Sequence, residues 1–183
     1  MFEQRNPLIA IIGDGQVEEG SKLWNLAYDT SRLLVNEEYL LLTGGLGGVM
    51  EGASRGARAS ALYRGKSVLG ILPGDSPRDA NASVDIAIPT GLGHLRNSIV
   101  AHSDVVIAIG GGAGTLSEMA LAWIYKRMIV AFRVKGWSGR LADKRIDHRR
   151  RFEDVEDDRV YGIDAPDEVI PLLKKKLQLY TRG

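Results

Sequence analysis

Two glycine-rich segments, each placed directly after an apolar stretch, contain the residues best suited to chemistry. They are Gly44-Gly-Leu-Gly-Gly48 and Gly110-Gly-Gly-Ala-Gly-Thr115, and Glu118 follows the second one. Glycine lets the backbone approach a ligand closely, and the start of a helix offers N–H donors at its positive end. Because the pattern occurs twice, the sequence predicts a site for a nucleotide or another phosphorylated small molecule.

Two charged side chains accompany these loops, and both are candidates for a direct role. Arg96 precedes the second apolar stretch, and Glu118 lies three residues after Thr115. The run Thr115-Leu-Ser-Glu118 also matches a capping box, in which Thr115 is the N-cap and Glu118 bonds back to its N–H. A structural role for Glu118 therefore stays open beside a catalytic one.

Strand and helix signals alternate along the whole chain, and this alternation predicts the fold. Near-continuous apolar strands separated by helices are typical of a parallel sheet covered on both faces. We therefore expect an α/β, Rossmann-like, doubly wound and mainly parallel sheet in a single domain, 1–183, with both glycine loops at the carboxyl ends of strands. The predicted strands are 8–12, 39–43, 67–72, 84–88, 105–109 and 128–132, with another near Val160; the predicted helices are 19–36, 48–62, 91–102, 115–125 and 166 to about 179.

Other nucleotide and metal motifs fit poorly. The first turn, Gly13 to Gly20, lacks the spacing of a dinucleotide fingerprint, and the second strand ends in Thr43 and not in an acid. Gly65-Lys-Ser67 precedes a strand, whereas a Walker loop must open a helix. The three histidines are scattered, so no metal site is predicted.

Composition narrows the class of protein further. A net charge of +1 gives no electrostatic case for nucleic acid or a membrane, and the absence of cysteine excludes disulfides and thiolate catalysis. No apolar run is long enough to span a bilayer, and we expect a cytoplasmic protein. One segment, 135–159, is highly charged; it is interpreted as a solvated excursion or, alternatively, as a mobile flap over the site.

The two loops and Arg96 together resemble the motifs of the "lonely guy" proteins, a superfamily formerly labelled as lysine decarboxylases. The resemblance covers about residues 8 to 132, through Gly44 to Met50, Arg96 and Gly111 to Glu118. It implies two sets of ligand-contacting residues: donors to the phosphate at Gly111, Gly112, Gly114 and Thr115, and an opposite wall of Gly44, Gly45 and Gly47. Gly110 replaces the family's proline, and Ser117 stands where the hydrolases carry a first glutamate. These departures are more similar to the subgroup that contains molybdenum-cofactor carrier proteins, which Gly136-Trp-Ser-Gly139 also fits.

Two functions are implied by this resemblance, and the sequence leaves both open. One is a nucleoside 5′-monophosphate phosphoribohydrolase that cleaves the N-glycosidic bond, with Arg96 and Glu118 as the catalytic residues. The other is a non-catalytic binding or carrier protein for molybdenum cofactor or a related phosphorylated pterin. Neither requires a resident cofactor, and the resemblance implies a homodimer or homotetramer. Nucleic acid, which proteins of a related fold process, is a third candidate partner, and the net charge of +1 argues against it.

Overall fold

The computed structural model describes residues 6–180, which form one seven-stranded sheet. The strand order is β4-β3-β2-β1-β5-β6-β7, and every neighbouring pair is parallel. The strands are β1 Leu8–Gly13, β2 Leu40–Thr43, β3 Val68–Leu72, β4 Ile86–Pro89, β5 Val105–Ile109, β6 Met128–Phe132 and β7 Tyr161–Ile163. The expected Rossmann-like α/β fold is confirmed, and the sheet is parallel throughout.

Six α-helices cover this sheet within residues 6–180. They are α1 Lys22–Asn36, α2 Val49–Arg58, α3 Asn97–Val100, α4 Ala113–Ile124, α5 Trp137–Leu141 and α6 Val169–Lys176. Four short 3-10 turns lie at Pro77–Asp79, Gly93–Arg96, Pro166–Glu168 and Leu177–Leu179. Helices α1, α2 and α6 pack on one face, while α3, α4 and α5 pack on the other.

The strands are apolar on both faces because both faces are covered. In β1, Ile9 and Ile11 pack against α1 and α2, while Ala10 and Ile12 face the cluster that contains α4. Strand β5 is fully buried along its length. Successive side chains of a strand point to opposite faces, so the period of two divides each strand between two cores.

The order of the strands reverses between β1 and β5, and this reversal fixes where a ligand can bind. After β1 the chain builds β2, β3 and β4 on one side, and then returns to β5 on the other. In such sheets the crevice for ligands lies at the carboxyl ends of the strands beside this switch point. Here those ends are Gly13 of β1 and Ile109 of β5, which are directly paired.

Several predicted helix boundaries differ from the structure. The helix expected at 115–125 begins two residues earlier, because Gly112 rather than Thr115 is its N-cap. The helix expected at 91–102 is a 3-10 turn followed by the single turn of α3, and the helix expected to reach Leu62 ends at Arg58.

The charged segment 135–159 is tied to the core at two of its charged residues. Arg151 is 7% exposed and Asp158 is 2% exposed, and the two form an ion pair. Arg151 also donates to the carbonyls of Trp123 and Arg127 at 3.1 Å. These two charges of the segment are therefore buried, and each has a partner of opposite charge. No helix in residues 6–180 is long and apolar enough to cross a membrane.

Candidate functional site

The loop between β5 and α4 has a backbone that only glycine adopts without strain. Gly110 and Gly111 have φ of +66° and +85°, and a Cβ on Gly111 would lie 2.1 Å from Oγ1 of Thr115. Helix α4 then starts with Gly112 as N-cap and no side-chain cap. The first amides of a helix have no partner within the helix. Those at the start of α4 are therefore available to an anion.

A second turn, at the start of α5, holds this glycine loop in place. The Oγ of Ser138 accepts from the amide of Gly110 and donates to the carbonyl of Phe132, both at 2.8 Å. The amides of Trp137 and Ser138 donate to the carbonyls of Gly111 and Gly110, both at 3.0 Å. The loop is thus preorganised by the protein, as an anion site requires.

The loop after β2 is built in the same way. Thr43 Oγ1 accepts from the amide of Gly45 at 3.0 Å, and the Asn81 side chain donates to the carbonyl of Leu46 at 2.9 Å. Gly48, at φ +64°, is the N-cap of α2, which also has no side-chain cap. Gly47 is open, since a Cβ there would meet only the carbonyl of Gly15, at 3.5 Å.

Gly13 brings the two loops together. A Cβ on Gly13 would lie 2.4 Å from the carbonyl oxygen of Ile109 and 2.7 Å from Cγ1 of Val49. The first residue of α2 and the end of β5 therefore meet across this single glycine. This role of Gly13 was not predicted, because the sequence around it gives no local signal for contacts with residues as distant as Ile109.

Arg96 connects the loop after β2 to helix α4. Its Nη1 donates to Oε1 of Glu118 at 2.9 Å, and both side chains are 9% exposed. A Cβ on Gly44 would lie 2.6 Å from Arg96 Nη2 and 2.7 Å from Met50 Sδ, so the guanidinium lies against Gly44. The Nε of Arg96 is buried and has no hydrogen-bond partner in the described structure. A buried donor of this kind is expected to have a partner.

The structure brings the expected residues to one edge of the sheet but places them differently. Gly44, Arg96 and Glu118 form a buried group, whereas Gly112 and Gly114 face open space, with no atom within 4 Å of an added Cβ. Gly45 and Thr115 are buried and support the loops, because Gly45 packs on Leu72 and Thr115 packs on Gly111. The residues open to a ligand are thus Gly47, Gly112 and Gly114.

Burial dominates the acid–base behaviour of Glu118. It raises the pKa of this carboxyl from 4.5 to about 7, against the opposing effect of the Arg96 charge and hydrogen bond. The predicted capping box is wrong: Thr115 lies inside α4, and the Glu118 carboxyl contacts Arg96. Glu118 can therefore exchange a proton near neutral pH beside a fixed cation.

Ser117, which replaces a carboxylate of the resembling hydrolases, has a structural role. Its hydroxyl donates to the carbonyl of Gly114 and accepts from the side chain of Asn97, at 2.8 and 2.7 Å. The first contact lies within α4, and the second joins α4 to Asn97 at the start of α3. Within residues 6–180, Glu118 is consequently the one carboxyl placed between α3 and α4. The same residues contain no group of three or more His, Asp or Glu side chains that could hold a metal ion.

Comparison of the sequence with known proteins identifies a family and a relative. The sequence model of the SLOG cluster4 family matches residues 6–170. An uncharacterized protein of Archaeoglobus fulgidus is 41% identical over 115 residues, which are 62% of this chain and 72% of that protein.

Several solved structures are similar to this one over most of the chain. The molybdenum cofactor binding protein of Rippkaea orientalis is 36% identical, with a TM-score of 0.74 over 93% of this chain and 97% of that one. The molybdenum cofactor carrier protein of Chlamydomonas reinhardtii is 28% identical, also with a TM-score of 0.74, over 95% of this chain and 99% of that one. DNA processing protein A of Helicobacter pylori, at 19% identity and a TM-score of 0.65 over 92% of this chain and 80% of that one, shares the fold.

Proposed function

Because this chain belongs to the SLOG cluster4 family, we propose that it binds a phosphorylated small molecule at the switch point and carries it unchanged. Molybdenum cofactor or a related phosphorylated pterin is the proposed ligand. The two solved relatives named for that cofactor, which align with nearly the whole chain, support this choice.

The observation that carries the proposal is that helix α4 begins beside the switch point and has no side chain capping its first amides. Its glycine loop is fixed by Ser138, while Gly112 and Gly114 are open to the crevice. A phosphate placed there accepts hydrogen bonds from the amides of the first turn and gains from the helix dipole. No movement of the loop is needed, so little conformational entropy is lost on binding.

Arg96 supplies a second contact in the proposal. Its Nη1 is fixed by Glu118, which leaves the buried Nε as an unused donor. A charge-assisted bond from Nε to an oxyanion is stronger than a neutral one. Because burial raises the pKa of Glu118 to about 7, part of the protein has a protonated Glu118 near neutral pH, and this form adds no negative charge beside the ligand.

Hydrolysis of a nucleoside monophosphate is the second candidate, and the Arg96–Glu118 pair favours it. Cleavage of an N-glycosidic bond passes through an oxocarbenium-like state that a carboxylate stabilises. Glu118 would act without a neighbouring carboxylate, since residue 117 is a serine, and the hydroxyl of Ser117 is already engaged with the carbonyl of Gly114. This difference makes the carrier the better supported function.

One experiment separates the two functions. The purified protein is incubated anaerobically with molybdenum cofactor and, in a parallel sample, with AMP, and each sample is passed through a desalting column. A carrier retains molybdenum and pterin in equal amounts and leaves AMP intact. Release of adenine and ribose 5-phosphate from AMP would instead establish the hydrolase.

We also propose that the protein forms a homo-oligomer through an apolar surface next to Arg96. Leu95 is 76% exposed and Ile124 is 66% exposed, and Leu92 and Ile99 are also exposed. Helices α3 and α4 lie side by side, with Ser98 Oγ 2.7 Å from Tyr125 Oη, so these side chains share one surface. A second copy of the chain would cover it, because contiguous exposed apolar surface marks a protein interface.

A further inference from the structure

An open groove of about 360 Å³ lies at the carboxyl end of β6. In the strand order β2-β1-β5-β6, the loop 110–112 after β5 lies between this groove and Gly44, which follows β2. We call it the β6 groove; it is lined by Arg133, Lys135, Gly136, Gly139, Arg140 and Asp143. Its volume is at the lower end of ligand pockets, which span about 300–1,000 Å³. It is large enough for one part of a ligand.

The β6 groove has an excess of positive charge. Arg133 is neutralised by Asp143 and Asp164, whose carboxylate oxygens lie 2.7 and 2.6 Å from its nitrogens. In the described part of the chain, neither Lys135 nor Arg140 forms an ion pair with a carboxylate. Arg140 is held over the ring of Trp137 at 5.0 Å. Two cations without carboxylate partners thus line the groove beside open backbone.

The groove is continuous with the glycine loop before α4. The carbonyl of Lys135 would lie 3.3 Å from a Cβ on Gly110, and a Cβ on Gly136 would lie 2.6 Å from the Gly110 carbonyl carbon. Neighbouring strands lie about 4.8 Å apart, so the ends of β5 and β6 can contact one extended anion. The first turn of α4 and the groove therefore form adjacent parts of one edge.

We infer that the β6 groove binds a second phosphate of the same ligand, through Lys135 and Arg140. The ligand class is then a phosphorylated pterin that carries a pyrophosphate or a second phosphate group, such as a pterin joined to a nucleotide. This inference rests on the proposed function, which places the first phosphate at the start of α4.

Calorimetric titration with inorganic phosphate and inorganic pyrophosphate tests the inference without knowledge of the natural ligand. The test variant is Lys135→Gln/Arg140→Gln, and the control is Arg64→Gln/Lys175→Gln. The control removes two exposed cations that lie outside the groove lining, and so lowers the net charge equally. Glutamine keeps most of each side chain, so packing on Trp137 is largely retained.

The wild-type protein and the control are expected to bind pyrophosphate about tenfold more tightly than phosphate, since one added charge-assisted bond gives roughly that factor. In the test variant this preference is lost, while phosphate affinity stays unchanged. Equal affinities for the two anions in the wild type would overturn the second phosphate site alone. If neither anion binds, the proposed function fails together with it.

Discussion

Nη1 of Arg96 donates to Oε1 of Glu118 at 2.9 Å, and this buried contact joins the two glycine loops. Arg96 lies against Gly44 of one loop, while Glu118 belongs to the helix that starts at the other. A buried ion pair is costly to desolvate, so it is weak evidence for stability alone. What suggests a ligand is that Arg96 lies at the switch point and that its Nε has no hydrogen-bond partner in the described structure.

Replacing Arg96 with alanine should reduce affinity for a phosphorylated ligand roughly tenfold to a hundredfold, the value of one charge-assisted hydrogen bond. Arg151→Ala is the matched control, because Arg151 also forms a buried ion pair, with Asp158, near the opposite end of α4. Both variants should lose stability, but only Arg96→Ala should lose affinity in calorimetry at a temperature where each is folded. Equal affinity losses would remove Arg96 from the site.

Gly114→Ala should separate binding from folding. A Cβ at Gly114 meets no atom within 4 Å, and alanine is a better helix former than glycine. The variant should therefore be more stable by about 0.5–1 kcal/mol in denaturant unfolding. The same methyl group would intrude on an anion at the start of α4, so ligand affinity should fall. Undiminished affinity would argue against that position for the phosphate.

Gly111→Ala, in contrast to Gly114→Ala, should lower the stability of the fold. Gly111 has φ +85°, and its Cβ would collide with Thr115. Unfolding experiments should show a loss of about 1–3 kcal/mol, the range for a residue forced into such a backbone. A variant as stable as the wild type would show that the loop is not held in this conformation.

The raised pKa of Glu118 should appear in the pH dependence of stability. Burial raises the folded pKa to about 7 from 4.5, so the folded protein keeps a proton that the unfolded chain releases between these values. Stability from this group is complete below pH 4.5 and is lost as the pH rises through about 7. One pKa unit is about 1.4 kcal/mol, so the change is roughly 3 kcal/mol.

Urea unfolding of the wild type and Glu118→Gln at several pH values provides the measurement. The wild type should lose stability relative to the variant as the pH rises across this interval. Parallel profiles for the two proteins would mean that Glu118 titrates normally.

The proposed oligomer surface predicts that Leu95→Glu lowers the molar mass in light scattering. The wild type should have at least twice the chain mass of 20.0 kDa. Leu62→Glu is the control, because Leu62 is also exposed, at 41%, but lies beyond the end of α2. A monomeric wild type, or equal dissociation in both variants, would contradict the surface.

The sheet could be predicted from the sequence because its strands are short apolar runs between turn residues. Val105–Ile109 and Met128–Phe132 were predicted with the observed bounds, since both faces of each strand are covered. The start of α4 was predicted two residues too late, because the capping-box pattern at Thr115 competes with a glycine run that begins the helix earlier.

Long-range contacts account for most of what the sequence left undetermined. Arg96 and Glu118 were chosen as candidates, but nothing local indicated that they form a pair. The support of Gly110 by Ser138 joins residues 28 positions apart, and the burial of Arg151 depends on Trp123 and Asp158. Such contacts follow from the strand order, which the local pattern does not specify.

The most direct test of the central claim is a crystal of the protein soaked in tungstate, a phosphate-like oxyanion with strong anomalous scattering. The account predicts an anomalous peak within hydrogen-bond distance of the amide nitrogens at the start of α4, from Gly112 to Thr115, on the side of Arg96. Tungstate bound elsewhere on the surface, with this crevice empty, would contradict it.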